Sequence, residues 1–397
     1  MLRPNTVALT LLLAMLTTIG PLSVDMYLAS LPDIGRQLAS PAAQVQLTLS
    51  VYLIGFAVGQ VIYGPVSDRH GRRTILLTSL AVFSVASLVC AAASSIEILI
   101  VARFFQAIGG AGTVVLARAI ARDLYDGVRL ARELSRMAAV MALAPLVAPL
   151  IGGMLQTVFG WRANFIVLVG FGVSAATLVW LLLPETLRVR APEPVSFVST
   201  LRAYRTFARN RVFLAHVGIV ACGFGGLFAW ISTAAFVLQD LYGLSALEFG
   251  MAFTASSAGY LFGTWFAAHF VARMGIDRAI GLGSLWLAAG GLASVLTLWF
   301  GFASATALVV SMALYLVGLG LALPQAQAGA LLPFAERAGA ASSLVGFSQQ
   351  TSGALVGAVV GFLLGQSAWP LTVAVAIMGC LALTLWALTR KLRAYQT

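Results

Sequence analysis

The chain has 397 residues, of which 60 % are hydrophobic and only 9 % charged, with 39 glycines and a mean hydropathy of +0.96. A soluble domain carries about 25 % charge, so the composition excludes a water-soluble globular protein of this length and indicates a polytopic membrane protein. The formal net charge of +11 is spread in short clusters between apolar runs, which is how topogenic charge is distributed and not how a nucleic-acid-binding stripe is built.

The apolar runs lack the period-two alternation of membrane barrel strands, so the fold class predicted is all-α, with helical spans that satisfy their own backbone groups. Twelve spans follow in order, at about 6–29, 44–66, 73–93, 97–120, 135–158, 163–184, 211–238, 246–270, 278–300, 304–325, 339–365 and 368–390. The first begins behind Arg3 as a signal peptide would. No small-residue cleavage site closes it, however, and it runs on to Asp25, so it is expected to remain as the first helix. Between spans two and three stands "GPVSDRHGRR", residues 64–73, too charged for hydrocarbon and too short for a domain. Span four carries Arg103, Gln106 and Arg118 among Gly109, Gly110 and Gly112. Span five reads "ALAPLVAPLIGGML", with Pro145 and Pro149 one turn apart and Gly152 and Gly153 behind them. Proline removes a helix hydrogen bond, and small residues admit a second backbone.

After span six, residues 185–210 form the longest polar segment within the chain, rich in proline and arginine. It is expected to be a cytoplasmic linker between a six-helix bundle at 1–184 and a second at 211–397. Its "LRAYRTFARN" could lie on the inner leaflet as a basic amphipathic helix or stay solvated. In the second half "ARMGIDR", residues 272–278, follows span eight as "DRHGRR" follows span two. The shared Arg-x-Gly at matching positions suggests a parallel repeat of six-helix units, one layout of secondary transporters.

Charge sorts cleanly once twelve spans are drawn with the N-terminus inside. The cytoplasmic set is Arg3, then Arg69, Arg72 and Arg73, then Arg122, Arg129, Arg132 and Arg136. It continues with Arg188, Arg190, Arg202, Arg205, Arg209 and Arg211, then Arg273, Arg278 and Arg337, and ends with Arg390, Lys391 and Arg393. Only Arg36 and Arg162 fall outside. By the positive-inside rule both termini are expected in the cytoplasm.

Several chemistries are not expected. A phosphate-binding loop needs a lysine behind its glycines, and the single lysine, Lys391, lies in the tail. His70, His216 and His269 lack ligand-spaced partners, so no metal site is expected. Cys90, Cys222 and Cys380 are isolated, and no nucleophile-elbow sequence is present, so neither catalytic residues nor an enzyme are expected.

Ionisable groups within the spans cost at least about 2.5–3.5 kcal/mol each and are functional candidates by default. Asp25 in span one and Arg103 in span four fall at comparable depth on different helices. Burial favours a neutral carboxyl and a nearby arginine favours the ion. Two readings stand: a carboxylate that switches its proton, and a static Asp25–Arg103 salt bridge that fixes packing. Arg118, near the inner end of its span, is placed to snorkel.

With these residues in view the chain resembles the major facilitator superfamily. Gly64, Asp68, Arg69, Gly71, Arg72 and Arg73 match its signature between helices two and three. The resemblance implies a conformational latch there, built of charge contacts that break as the two halves rock. "RFFQAIGGAG" is similar to the family's proton-linked motif, with Ala107 where a glycine is usual. Span five is similar to its antiporter motif, matching Pro149, Gly152 and Gly153, with Ala144 and Ala148 at the two leading glycines. "SVDMYLASLP", the stretch ending "VIYGPVSDRHGRR", and "AGAASSLVGFSQQ" narrow the resemblance to the drug:proton antiporters of the bicyclomycin and chloramphenicol resistance branch.

The resemblance implies twelve helices in two pseudo-symmetric bundles and proton-driven export of small amphipathic drugs by alternating access, with no cofactor beyond the proton gradient. Asp25 would respond to protons with Arg103 as its partner. Tyr27, Gln106, Phe224, Phe228, Trp230, Phe236, Tyr260 and Phe347 would line the substrate cavity. The expected partners are the drug, protons and lipids, with no nucleic acid, and the protein is expected to act as a monomer. The alternative within transport is a proton symporter importing a sugar or other small organic solute.

Overall fold

A computed structural model describes residues 6–187, 206–207 and 209–393. Arg3, Arg188, Arg190, Arg202, Arg205 and most of the expected linker at 185–210, including six of the ten residues of its candidate amphipathic segment, lie outside the described residues. In chain order the helices are α1 (Val7–Asp25), α2 (Leu31–Gln37), α3 (Ala42–His70), α4 (Arg72–Ala91), α5 (Ile96–Leu124), α6 (Gly127–Phe159) and α7 (Arg162–Leu182). They continue with α8 (Arg211–Ala235), α9 (Ala246–Met274), α10 (Ile276–Trp299), α11 (Ala305–Leu331), α12 (Ala338–Leu363) and α13 (Trp369–Arg393). Only α2 is short; the other twelve make an all-helical polytopic membrane protein.

Among the described residues, ten helical stretches are long and apolar enough to cross a membrane. The two long helices outside that set, α9 and α12, are diluted by Ser256, Ser257 and Thr264 in one and by Gln349 and Gln350 in the other.

Helix starts follow local chemistry. The side chains of Ser95, Asn210 and Ser304 accept bonds from the first-turn amides of α5, α8 and α11, and Ser245 with Glu248 forms a reciprocal capping box on α9. Helix ends depart from hydropathy. Backbone hydrogen bonding continues past the apolar residues, so α3 reaches His70, about one turn beyond its predicted span, and α6 begins at Gly127, about two turns before its predicted start. The charged stretch at 64–73 is therefore not a loop. Asp68, Arg69 and His70 are the last turn of α3, Arg72 and Arg73 are the first of α4, and the corner between them is Gly71 at φ +98°.

The chain divides into two units, Met1–Val195 and Ser196–Thr397. In the first, the main pairings are α1 with α6, α3 with α5, α4 with α5, and α4 with α7. In the second they are α8 with α12, α9 with α11, α10 with α11, and α10 with α13. Counting the long helices one to six within each unit, both lists read one–five, two–four, three–four and three–six, so one packing scheme is used twice. Glycine makes the three–four contact tight in both. A β-carbon at Gly109 would lie 2.5 Å from the Phe83 amide nitrogen, and one at Gly318 would lie 2.5 Å from the Gly283 carbonyl oxygen.

The second unit is also clamped by charge. Arg393, at the end of α13, donates from Nε to Asp277 Oδ1 (2.7 Å) in the first turn of α10 and from Nη2 to the Trp386 carbonyl (2.8 Å). Trp386 Nε1 returns a bond to the Asp277 carbonyl (3.0 Å).

Candidate functional site

The first helix of unit one ends at Asp25, four residues past Pro21, and continues as a 3₁₀ turn at Leu28–Ser30 before α2. Contacts from α6 and α7 pin that segment. Gln156 Nε2 donates to Asp33 Oδ2 (2.9 Å), Trp161 Nε1 to Gln37 Oε1 (3.0 Å), and Asn164 Nδ2 to Ser30 Oγ (3.0 Å). From the other side α6 presses in. A β-carbon at Gly152 would overlap the Met26 carbonyl, so only glycine admits this approach. Pro145 and Pro149 lie in the same helix, and Ala148, at a leading glycine of the motif, is fully buried. The glycine-bearing face of α6 is therefore seated against the residue that follows Asp25.

Arg103 of α5 is fully buried in unit one. Its Nη1 donates to the Ser23 carbonyl (2.9 Å) and to Gln106 Oε1 (2.6 Å). Gln106 passes the chain on, donating from Nε2 to Ser87 Oγ (2.8 Å), which donates to the Phe83 carbonyl (2.7 Å). The guanidinium carbon lies 4.2 Å from the ring centres of both Tyr27 and Tyr52, and 5.8 Å from that of Phe165. Each tyrosine is itself fixed. Thr48 spends its proton on the Val45 carbonyl, so the Tyr27 hydroxyl is the donor in its 2.8 Å bond to Thr48 Oγ1. Tyr52 donates to the Gly20 carbonyl (3.4 Å).

Of the two readings of this pair, the static Asp25–Arg103 salt bridge is not formed. A carbonyl, an amide oxygen and aromatic faces surround the cation, while its Nε and Nη2 have no hydrogen-bond partner. Asp25 is 5 % exposed, and among the described residues no hydrogen bond or ion pair reaches its carboxyl. The two charges share a neighbourhood, through Ser23 two residues from Asp25, without touching. Arg118, by contrast, is exposed.

Tyr27 and Gln106 were expected on a cavity wall, and the structure instead encloses both completely as partners of Arg103. The aromatic residues of unit two are mostly core. Phe224 and Phe228 are in ring contact at 4.9 Å, and Trp230 stacks on Phe253 at 6.4 Å. Trp230, Phe228 and Phe236 are buried, Phe236 in a π-helical turn that extends α8, and Tyr260 is half-buried. Phe347 is 44 % exposed and no ring contact joins it to the others. Within unit two, packing against neighbouring helices claims most of the large rings.

At the opposite end of unit one, the stretch 64–73 builds an ion network. Arg72 Nη1 meets Asp68 Oδ1 at 2.5 Å and Ser67 Oγ at 2.6 Å, and its Nε donates to Asp123 Oδ2 of α5 at 2.9 Å. Glu185, three residues past α7, accepts from the backbone amides of Arg72 (2.9 Å) and Arg73 (3.1 Å), and so caps the positive end of α4. A β-carbon at Gly71 would lie 2.5 Å from a Glu185 oxygen. Arg73 Nη2 donates to the Trp180 carbonyl (2.6 Å), and Thr186 Oγ1 donates to Asp123 (3.2 Å). Arg69 points into solvent, and around Gly64 a β-carbon would meet nothing within 4 Å. The network thus ties α3, α4, α5 and the end of α7. Ser67, Asp123, Glu185 and Thr186 were not singled out from sequence. Their only local signal is an acid just past the end of a span on the charged side.

A model of the Major Facilitator Superfamily matches residues 13–357. Multidrug resistance protein D of Escherichia coli (strain K12) is 31 % identical over 97 % of this chain and 96 % of its own. A bicyclomycin resistance protein homolog of Haemophilus influenzae is 30 % identical, covering 93 % of this chain and 92 % of its own. Among solved structures, a D-xylose-proton symporter superposes with a TM-score of 0.77 at 16 % identity over 96 % of each chain, a likeness of fold alone.

Proposed function

The chain belongs to the major facilitator superfamily, and from that premise we propose that it is a proton-coupled antiporter exporting small amphipathic drugs or antibiotics across the bacterial inner membrane. Relatives named for multidrug and bicyclomycin resistance align along nearly the whole chain, which supports drug efflux. The observation that carries the coupling is Asp25, an enclosed carboxyl that no partner reaches among the described residues, on the helix whose Ser23 carbonyl receives Arg103.

In this reading Asp25 is the proton carrier. Arg103, immobilised between two tyrosine rings, supplies a fixed positive field that its neighbours do not neutralise. Protonation of Asp25 from outside and its deprotonation towards the cytoplasm are linked to alternating access, so one inward proton movement accompanies outward drug movement. The Arg72 cluster acts as the latch. Its Asp68 side is 40 % exposed, so that ion pair is a surface contact that opens at a cost of about 1 kcal/mol. Substrate binding relies on apolar and aromatic contacts. The arginine distribution supports cytoplasmic termini. The protein works as a monomer with lipid around it, needs no cofactor beyond the gradient, and makes or breaks no covalent bond.

The test is transport of a fluorescent amphipathic drug into proteoliposomes under an imposed pH gradient, with and without a protonophore. The expected outcome is that Asp25→Asn binds the drug but no longer accumulates it uphill, while Asp25→Glu retains part of the activity. Full uphill transport by the Asn variant would remove Asp25 from the mechanism.

A further inference from the structure

Unpartnered polar atoms inside a folded chain are rare, because an orphaned buried donor or acceptor keeps its full desolvation cost. Unit one gathers several beside the segment that joins α1 to α2. Asn164 is fully buried; its Nδ2 donates to Ser30 Oγ, while its Oδ1 meets no donor. Ser30 is fully buried too, and among the described residues its hydroxyl accepts that bond and donates none. At Asp33, one turn on, Gln156 repeats the pattern: Nε2 donates to Asp33 Oδ2, and the buried Oε1 is left over. Reversing the Asn164 amide would orphan an N–H in place of the oxygen, and reversing Gln156 would set an oxygen against the Asp33 carboxylate.

These residues mark out a line towards Asp25. The Asp33 side chain is 22 % exposed. Ser30 lies one turn deeper, and its amide donates to the Tyr27 carbonyl (2.9 Å). Phe165, next to Asn164, lies 5.6 Å from the Tyr27 ring, and both rings stand against the Arg103 guanidinium. There Arg103 offers Nε and Nη2 as orphaned donors, close to the Asp25 carboxyl that no described residue reaches. Eight residues separate Asp25 from Asp33, about 12 Å at a helical rise. Unmet hydrogen-bonding groups at both ends and in the middle of such a line suit water, which needs about two to four polar partners.

We propose that Ser30, Asn164 and Gln156 hold a file of ordered water molecules through which protons travel from the surface at Asp33 to Asp25. A hydronium at the Asp33 end gives one proton to the first water. Each water accepts one proton and releases another, and the last transfers its proton to the Asp25 carboxylate. One O–H bond forms for each that breaks, and nothing is oxidised or reduced. Arg103 orients the last step, since a water that accepts from Nη2 turns its own protons away from the guanidinium and towards the carboxylate. Asn164 and Gln156 are positioning residues, because they hold water and take no proton. The route rests on the reading of Asp25 as the proton carrier and adds the path by which the proton arrives.

Hydroxyl-radical footprinting of the full-length protein in lipid nanodiscs reads buried water directly, because the radicals form from water and mark the side chains beside it. Tyr27 and Tyr315 are a matched pair, both fully buried with the hydroxyl donating a hydrogen bond. Tyr27, with Met26 and Phe165, is expected to be labelled and Tyr315 to stay unlabelled. Infrared difference spectroscopy after a rapid drop in pH follows protonation of Asp25 as the carboxyl band that Asp25→Asn removes. Asn164→Leu should reduce the labelling of Tyr27 and slow that band, each about fivefold, the effect of losing one water-mediated contact. Gln156→Met should act alike and serves where Asn164→Leu does not fold. Labelling of Tyr27 no stronger than that of Tyr315, or protonation at the wild-type rate in both variants, would overturn the route. A carboxyl band that Asp25→Asn leaves in place would refute Asp25 as the carrier, and so the proton traffic, while the tyrosine labelling tests the water on its own.

Discussion

Gly152→Ala and Gly170→Ala make the same chemical change on neighbouring helices of unit one, and the structure gives them opposite signs. A methyl group at Gly152 would fall on the Met26 carbonyl, a backbone atom with no rotamer to escape into. The helices must then separate. Overpacking of this kind costs about 1–3 kcal/mol, and the better helix propensity of alanine offsets about 1 kcal/mol of it. A clash with a backbone atom belongs to the upper part of that range, about 2–3 kcal/mol, so the expected net effect is a destabilisation of roughly 1–2 kcal/mol. At Gly170, exposed on α7, a β-carbon meets nothing within 4 Å. Only propensity acts there, for a gain of roughly 0.5–1 kcal/mol. Thermal unfolding of both purified variants in one detergent reads the difference. Gly152→Ala should melt below wild type and Gly170→Ala at or above it. Because Met26 follows Asp25, Gly152→Ala should also depress export while Gly170→Ala leaves it unchanged. A Gly152→Ala protein as stable as wild type, or two variants shifting the same way, would refute the close approach of α6 to the end of α1.

Two further outcomes are expected. Arg103→Lys keeps the charge but loses the planar group held between Tyr27 and Tyr52. At about 0.5–2 kcal/mol per ring the protein should lose stability, and the pH profile of export should shift; an unchanged profile would assign Arg103 to packing alone. Asp123→Asn removes the less exposed carboxylate from Arg72, at a cost of about 1–3 kcal/mol, so turnover should slow while drug affinity in an equilibrium binding assay stays within about twofold of wild type. A large affinity loss with normal turnover would contradict the latch.

Helix number and order were legible in the sequence because hydropathy is a local property. Twenty or so apolar residues must leave water whatever they meet. The same locality made Asp25 and Arg103 stand out, since a charge in such a run is conspicuous by its cost, and it made "GPVSDRHGRR" conspicuous as a charged corner. Partnership is not local. Glu185 lies 113 residues from Arg72 and Asp123 lies 51 away, so no window of sequence joins them.

The sequence by itself determined that this is an all-helical membrane chain and that Asp25 and Arg103 stand within its apolar spans, but not that Arg72, Glu133 and Arg393 are buried while Arg118 is exposed. Tertiary structure alone decided what those side chains touch. Arg103 meets the Ser23 carbonyl, Gln106 and two tyrosine rings in place of the Asp25 carboxylate. The physical reason is directional. Burial follows from summed transfer free energy along one segment, whereas a hydrogen bond or a ring contact exists only when separate helices hold both partners at the right distance and angle.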